Sequence, residues 1–334
     1  MIHSPYIRKP ASVQRVMGTV LLALVPGIAA YVWQFGAGIL VNLALASITA
    51  IAVEALVMHL RGRPVGIALG DLSAVLTAWL LALSLPPIVP WWITVLGVVV
   101  AIGAVKHLYG GLGQNPFNPA MVGFCVLIVA YPALMSQWPA AGQLDFATQF
   151  DLILGGSRTL DGMTAATALD SLRTGLRGGA GVDNVLAQGS AFGAVGSKGW
   201  EWVAAGYALG GVALLITRTI TWHMPAAFIA ALVTVSGVFW LANPAQHASP
   251  LFHLASGGAM LAAFFIVTDP VSGATTPRGK LVFAACVALI AWLIRSFGAY
   301  PDGLAFGVLL MNICAPLLDM KTQPVVFGHR GERR

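Results

Sequence analysis

Long apolar runs constrain the fold of this chain more than any other feature of its sequence. Crossing a bilayer takes roughly 20 apolar residues per helix. Runs of about that length lie near residues 16–35, 37–58, 68–86, 88–105, 117–135, 199–217, 219–241, 251–268, 280–297 and 303–319. Only 9% of the 334 residues are charged, against about 25% in soluble domains. The sequence therefore predicts an all-α polytopic membrane protein with about ten transmembrane helices in a lipid bilayer.

The net charge of +6 follows membrane topology rather than a nucleic-acid site. If the N-terminus is cytoplasmic and every run spans, most basic residues outside one long loop fall on the cytoplasmic side. They are Arg8, Lys9, Arg15, Arg61, Arg63, Lys106, Arg218, Arg278, Lys280, Lys321, Arg330, Arg333 and Arg334. This bias predicts that both termini are cytoplasmic, and no nucleic-acid partner is expected.

Residues 136–198 form the one long stretch without a spanning run. The stretch is rich in Gly, Ser, Asp and Thr, and its glycine pairs indicate turns. By the charge bias it is extracytoplasmic, and a loop of this length is usually functional. We therefore divide the chain into a first membrane repeat (1–135), an extracytoplasmic loop (136–198), and a second membrane repeat with a cytoplasmic tail (199–334).

The two membrane parts share a faint internal repeat. Residues 106–117 (KHLYGGLGQNPF) and 295–306 (RSFGAYPDGLAF) each begin with a cation and reach Phe at the same offset. A second pair, 80–87 (LLALSLPP) and 264–270 (FFIVTDP), fits the same shift of five runs. Five is odd, so the halves would be inverted, an arrangement known from transporters with Gly/Pro-broken helices. Chance similarity between turns is the alternative.

A motif inside the loop carries specific chemistry. Thr164-Ala-Ala-Thr167, with Asp161 upstream, fits the Ser/Thr-x-Ala-Thr pattern at which FMN is attached through its phosphate to a threonine oxygen. The small residues between the threonines would let a transferase reach the hydroxyl of Thr167. Three nearby arginines could neutralise the remaining phosphate charge: Arg158, Arg173 and Arg177. The alternative is an ordinary Ala/Thr-rich helix start.

A second segment matches the pattern more literally. Ser272-Gly-Ala-Thr275 follows the eighth apolar run, which would place Thr275 on the cytoplasmic side. Flavin transfer of this kind is expected on the outer side, where the loop lies. We therefore predict attachment at Thr167 and keep Thr275 as its rival.

Several segments together resemble the D subunit of the Rnf complex. They are residues 4–8 (SPYIR), 109–120 (YGGLGQNPFNPA), 268–271 (TDPV), 300–312 (YPDGLAFGVLLMN) and 322–324 (TQP). The resemblance covers essentially the whole chain. The sister family, the B subunit of the sodium-pumping NADH:quinone reductase, shares the second block but is less similar in length and N-terminus.

The resemblance implies a bacterial inner-membrane complex that passes electrons between ferredoxin and NAD and moves Na⁺ or H⁺. This subunit would carry covalent FMN on Thr167, and it would also hold a second, non-covalent flavin such as riboflavin within the membrane. The implied partners are the other Rnf subunits and a flavin transferase. One departure is that family members often have Gly where Ala165 stands, although Ala is also small.

The second flavin is expected near residues 110–119 and 268–276, which include Asp269 and Thr275, and the glycine-rich block suits its pocket. Gly110, Gly111 and Gly113 permit tight turns and close approach to a planar ring. Asn115 and Asn118 offer amide groups that match the edge of an isoalloxazine. A purely structural re-entrant turn explains the same residues, and a turn can do both jobs.

Ionisable residues in membrane segments often mark ion pathways. Asp71 and Asp269 border the paired third and eighth runs, which suggests contact with an ion or a flavin. The others sit near predicted run ends, where interfacial solvation is the simpler expectation: Glu54, His107, His253 and Asp319.

A solute channel or transporter, similar to a urea channel and without a redox cofactor, is the alternative function. The chain has no Gly-rich NAD-binding fingerprint and no grouped cysteines for an iron–sulfur cluster or metal. If the chain is a redox subunit, other subunits must supply both ends of the electron path.

Overall fold

In a computed structural model, the chain is a bundle of helices, described for residues 12–142, 144–155, 164–300 and 302–323. The first part contains seven helices. They are α1 (Val13–Phe35), α2 (Gly38–Leu60), α3 (Val65–Gly70), α4 (Ser73–Ala82), α5 (Trp91–Val98, continued as a π-helix over Val99–His107), α6 (Pro119–Ala130) and α7 (Pro132–Met135).

The segment 136–198 folds against the bundle as short elements. They are β1 (Trp138–Pro139), α8 (Phe146–Leu154), β2 (Thr164–Ala165), α9 (Ala168–Arg177) and α10 (Val182–Gln188). Gln149 of α8 ties the segment to the α1–α2 turn, donating to Phe35 O at 3.0 Å and accepting from Gly38 N at 2.8 Å. Asp145 caps α8, and hydrogen bonds from Thr148 lower the pKa of its carboxyl group.

The last part of the chain is again helical. Its elements are α11 (Trp200–Ile216), α12 (His223–Ala242), α13 (Pro250–Leu254), α14 (Ala259–Leu261, continued as a π-helix over Ala262–Ile266), α15 (Pro277–Phe297) and α16 (Leu304–Thr322). Five helices, namely α1, α2, α12, α15 and α16, are long and apolar enough to span a membrane, and several shorter apolar helices accompany them. The prediction of an all-helical, multi-pass membrane protein is confirmed.

Three of the predicted runs are not continuous helices, and the run 117–135 is interrupted at Tyr131, between α6 and α7. The run 68–86 is broken into α3 and α4 at Asp71 and Leu72, and the run 251–268 is broken between α13 and α14. Hydropathy cannot detect such breaks, because the broken segments remain apolar. The residues after α4 stay buried, and Asn42 Nδ2 donates to Pro87 O at 2.8 Å. At the breaks themselves, Ser73 N donates to Asp71 Oδ1 at 2.7 Å and Arg295 Nη1 donates to His253 O at 2.8 Å, so side chains satisfy part of the freed backbone.

Several of the helices pack against one another in pairs. Helix α1 lies along α11, α12 along α15, α15 along α16, and α6 against α16. The α1–α11 crossing depends on small residues: a Cβ on Gly210 would lie 1.8 Å from Ala23 O, and one on Gly206 would lie 2.7 Å from Pro26 O. Small residues that let backbones approach closely are the usual basis of helix association in membranes.

Candidate functional site

Thr167 is the N-terminal cap of α9. Its backbone is extended, with φ −63° and ψ 156°, and its Oγ1 accepts a hydrogen bond from Asp170 N at 3.2 Å. Just before it, β2 pairs antiparallel with β1, with Ala165 opposite Trp138. Asp161 of the predicted motif lies outside the described residues. Thr167 therefore lies at the start of a helix, as the alternative interpretation expected. This position does not exclude esterification of Thr167, because an ester oxygen can still accept a hydrogen bond.

Thr167 is half-buried on the wall of a small cavity of about 110 Å³, which we name the Thr167 cavity. Aromatic side chains from separate elements line it: Phe124, Trp138, Trp200 and Tyr207. The buried Tyr207 hydroxyl has no hydrogen-bond partner among the described residues. Aromatic side chains favour contact with a planar ring, but the volume of this cavity is below the roughly 300–1,000 Å³ typical of ligand sites, so it would receive at most part of an isoalloxazine.

The arginines predicted to neutralise a phosphate on Thr167 have other partners. Arg173 donates to Ala299 O at 2.5 Å, and Arg177 donates to Gly298 O at 2.9 Å. Both guanidinium groups therefore fasten α9 to the C-terminal end of α15, where the helix dipole favours cations. Arg158 lies outside the described residues. For Arg173 or Arg177 to contact a phosphate on Thr167, the guanidinium group would have to leave these carbonyl partners.

A larger cavity of about 340 Å³ opens on the far side of the α6 N-terminus, and we name it the Asn118 cavity. Its volume falls within the roughly 300–1,000 Å³ typical of ligand sites. It brings together four predicted residues from distant parts of the chain: Asn115, Asn118, Asp269 and Thr275. Residues that the sequence interpretation did not assign to it also line it, notably Ser73, Lys106, Phe264, Phe265 and Lys280.

The three predicted glycines shape the turn that presents the asparagines. Gly110, Gly111 and Gly113 have φ values of 126°, 107° and 84°, a region that other residues rarely occupy. Asn115, two residues further on, lines the Asn118 cavity, whereas the glycines are not among its lining residues. The glycines therefore allow the backbone turn. Contact with a bound ring would be made by neighbouring residues such as Asn115.

Asn118 joins the two membrane parts. Its side chain caps α6 by accepting from Met121 N at 3.2 Å, and its backbone N–H donates to Asn312 Oδ1 at 3.0 Å. Asn312 Nδ2 in turn donates to Ser272 O at 2.9 Å. Asn312 was not singled out from the sequence, although it ends the block 300–312 that carries the family resemblance. The amides thus connect the two segments predicted to form the second flavin site.

Asp269 and Thr275 lie on the same cavity in different settings. Asp269 accepts from Ser272 Oγ at 2.6 Å and from Val271 N at 3.2 Å, which closes the turn after the π-helix. Thr275 is exposed, and its Oγ1 donates to Asp319 Oδ2 at 2.8 Å. The two rival threonines therefore line different cavities, Thr167 one and Thr275 the other.

A buried ionic cluster replaces the expected interfacial solvation of Glu54 and His107. Lys106 Nζ lies 2.6 Å from Glu54 Oε1, and His107 Nε2 lies 3.4 Å from the same oxygen. Glu54, Lys106 and His107 are 1–2% exposed. His253 is buried too, so interfacial solvation is wrong for three of the four residues. Charged residues inside apolar runs indicate that a partner is present. The sequence does not show that Glu54 and Lys106, which are 52 positions apart, are partners.

The two cavities share a wall. Asn118, Pro119 and Ala120 line the Asn118 cavity, and the next residue, Met121, lines the Thr167 cavity. On the opposite π-helix the lining residue likewise changes from Phe265 to Ile266. The fold is thus a helical membrane protein with two neighbouring cavities, one of ligand size and one smaller, lined by residues of its N-terminal and C-terminal helices.

Comparison with known proteins gives the family. Residues 1–328 match the NQR2, RnfD, RnfE family. Relatives named as the D subunit of an ion-translocating oxidoreductase complex include one from Erwinia tasmaniensis, 46% identical, and one from Salmonella paratyphi A, 47% identical. Another from Escherichia coli is 46% identical, and each alignment covers 98% of this chain and 97% of the relative. The chain belongs to the NQR2, RnfD, RnfE family, which confirms the resemblance to the Rnf D subunit.

Proposed function

We propose that this chain is the membrane subunit of an ion-translocating electron transport complex that links ferredoxin and NAD and moves Na⁺ or H⁺. The names of its relatives support a redox-driven, ion-translocating complex. The partners would be the other subunits of an Rnf complex, which must supply the iron–sulfur and NAD sites that this sequence lacks. A flavin transferase would mature the chain.

Covalent FMN on Thr167 is the central part of the proposal. The observation that carries it is the position of Thr167 Oγ1, on the wall of an aromatic cavity and at the first turn of a helix. A phosphodiester there would place an anion at the α9 N-terminus, where unpaired N–H groups and the helix dipole favour negative charge. The flavin would supply one-electron transfer, and the unpartnered Tyr207 hydroxyl could bind its ring.

The Asn118 cavity would hold the second, non-covalent flavin, such as riboflavin. Its volume, its facing phenylalanines and the amides of Asn115 and Asn118 suit a planar ring with a polar edge. Gly110, Gly111 and Gly113 would support it by shaping the turn, and Asp269 and Thr275 would lie at its polar end. Because the two cavities share a wall, electrons would pass between the flavins over a short distance.

The arrangement of the bundle would be two inverted five-helix repeats in the bacterial inner membrane. The pairings of α1 with α11 and of α6 with α16 match what a pseudo-two-fold axis would produce. Both termini would be cytoplasmic, and residues 136–198, which carry Thr167, would be periplasmic. Inverted repeats with sites at broken helices are also a transporter architecture, so the channel alternative without a cofactor needs a direct test.

In-gel fluorescence separates these functions. The chain, expressed with its flavin transferase and run on a denaturing gel, should give a fluorescent band under ultraviolet light. Thr167→Ala should abolish the band, and Thr275→Ala should leave it unchanged, because only Thr167 would carry flavin.

A wild-type band without fluorescence would favour the channel. Loss of the band in Thr275→Ala alone would move the attachment to the other cavity and overturn the topology argument. Flavin extracted from the unfolded protein reports separately on the non-covalent site.

A further inference from the structure

A chain of hydrogen bonds leads from the wall of the Asn118 cavity to a half-exposed carboxylate. Lys106 Nζ donates to Ser73 Oγ at 2.7 Å, and Ser73 Oγ donates to Asp71 Oδ1 at 2.5 Å. Lys106 and Ser73 line the cavity and are 2% and 4% exposed. Asp71 is partly exposed and does not line it. The three groups thus connect a buried site to the surface.

Two features of the backbone indicate that this series of hydrogen bonds has a function beyond packing. Lys106 lies in the π-helix Val99–His107, and π-helical turns are rare and frequent at functional sites. Leu72, between Asp71 and Ser73, has φ 63°, a left-handed conformation that costs energy in a branched residue and clusters at functional sites. Ser73 N donates to Asp71 Oδ1 at 2.7 Å, which holds the turn. The Ser73 hydroxyl lies between its two partners, Lys106 Nζ and Asp71 Oδ1.

We propose that Asp71, Ser73 and Lys106 form a proton relay that serves the ligand of the Asn118 cavity. The proposal rests on the non-covalent flavin proposed above and deepens it by giving the source of its protons. Lys106 is the proton donor at the cavity wall, Ser73 is the link, and Asp71 is the entry from solvent.

The transfer balances as one electron and one proton. The electron comes from a one-electron donor outside the cavity, the flavin on Thr167, and the proton leaves Lys106 Nζ for the cavity ligand. Ser73 Oγ then passes its proton to the neutral amine of Lys106 as it receives another proton, which enters from solvent through the carboxyl group of Asp71. In the resting state the bonds run from Lys106 toward Asp71, and they reverse once Lys106 is neutral.

The surroundings favour rapid refilling of Lys106. Glu54 Oε1, 2.6 Å from Lys106 Nζ, leaves an uncompensated buried anion whenever the lysine is neutral, so the proton is drawn back. His107 lies beside the same carboxylate, and Arg61 Nη2 donates to His107 O at 2.5 Å. Asp269 and Lys280 are the other charged residues that line the cavity.

Proton uptake during reduction of the intact complex tests the relay. The purified complex is mixed with reduced methyl viologen, a one-electron donor whose oxidation releases no proton, in a stopped-flow instrument, and flavin absorbance and a pH-indicator dye are followed together. Ser73→Ala should slow both signals by at least about tenfold, since a positioned acid contributes about 10²–10⁴-fold. Ser73→Thr should restore them, because it retains the hydroxyl. The double variant Lys106→Met/Glu54→Gln, which removes both charges together, should also be slow.

Thr49→Val is the matched control. The Thr49 hydroxyl bonds only to Leu45 O of its own helix, away from the cavity, so its loss should change neither signal. If Ser73→Ala and the double variant retain non-covalent flavin and take up protons at the wild-type rate, the relay is wrong while the flavin site stands. If the wild-type complex releases no non-covalent flavin on unfolding, both the flavin site and the relay are wrong.

Discussion

At the scale of single residues, Thr167 has two separable roles, as helix cap and as flavin acceptor. Thr167→Asn should fold and retain α9, because Asn is among the best N-terminal caps, but it should carry no covalent flavin. Thr167→Ser should retain both properties. Circular dichroism with in-gel fluorescence distinguishes them. A fluorescent Thr167→Asn band would show that the flavin is attached elsewhere.

The buried Glu54–Lys106 ion pair makes a testable contribution to stability. Lys106→Met should lower the stability of the protein in detergent by about 3–5 kcal/mol, because it leaves Glu54 buried without its partner. Adding Glu54→Gln should recover most of the loss, since no unpaired charge then remains. Thermal unfolding measures both effects.

Lys280→Met is the control for this pair. Lys280 lines the same cavity, but no carboxylate lies within ion-pair distance of it among the described residues. Its replacement should change stability little. Equal losses of stability in Lys106→Met and Lys280→Met would show that the buried ion pair contributes no more to stability than an unpaired lysine does.

At the scale of elements, the α1–α11 crossing depends on glycine. Gly210→Ala should destabilise the protein by about 1–3 kcal/mol through overpacking, because the new Cβ would meet Ala23 O at 1.8 Å. Gly18→Ala on α1 is the matched control, since its Cβ would meet only Leu72 Cδ1 at 3.8 Å. The melting temperatures of the Gly210→Ala and Gly18→Ala variants measure the difference in stability. A tolerated Gly210→Ala would mean that these helices are not in close contact.

Element prediction from the sequence succeeded where a helix is long and uniformly apolar. The runs 16–35, 37–58 and 280–297 correspond closely to α1, α2 and α15. The third and eighth runs failed because hydropathy averages over a break, and hydrogen-bonding groups at a break can come from another helix, as Arg295 does in donating to His253 O. The residues that line each site could be nominated from motifs, but their grouping into two cavities depends on tertiary packing.

At the scale of the whole molecule, the proposed topology places residues 136–198 opposite the termini. Alkaline phosphatase, which is active only outside the cytoplasm, should be active when fused after Gly189 and inactive when fused after Arg63. A fluorescent protein that folds in the cytoplasm should give the reverse result. Activity at Arg63 and not at Gly189 would invert the topology and favour Thr275 as the acceptor.

The contacts of Lys106 with Glu54 and Ser73 show most clearly what cannot be predicted from the sequence alone. Lys106 was assigned from its sequence to the cytoplasmic face, as one of many cations in the topology bias. The structure buries it against Glu54 and Ser73 on the wall of a cavity. A single sequence without its fold contains no signal that these three positions meet, although a charge in an apolar run was reason to seek a partner.

Peptide mass spectrometry of the mature chain tests the central claim most directly. Trypsin cleavage at Arg158 and Arg173 yields one peptide that contains Thr159, Thr164 and Thr167, so fragmentation must assign the modified residue. We predict that Thr167 carries the mass of FMN less one water, and that the peptide containing Thr275 is unmodified. An unmodified Thr167 in material matured with its transferase would contradict the account.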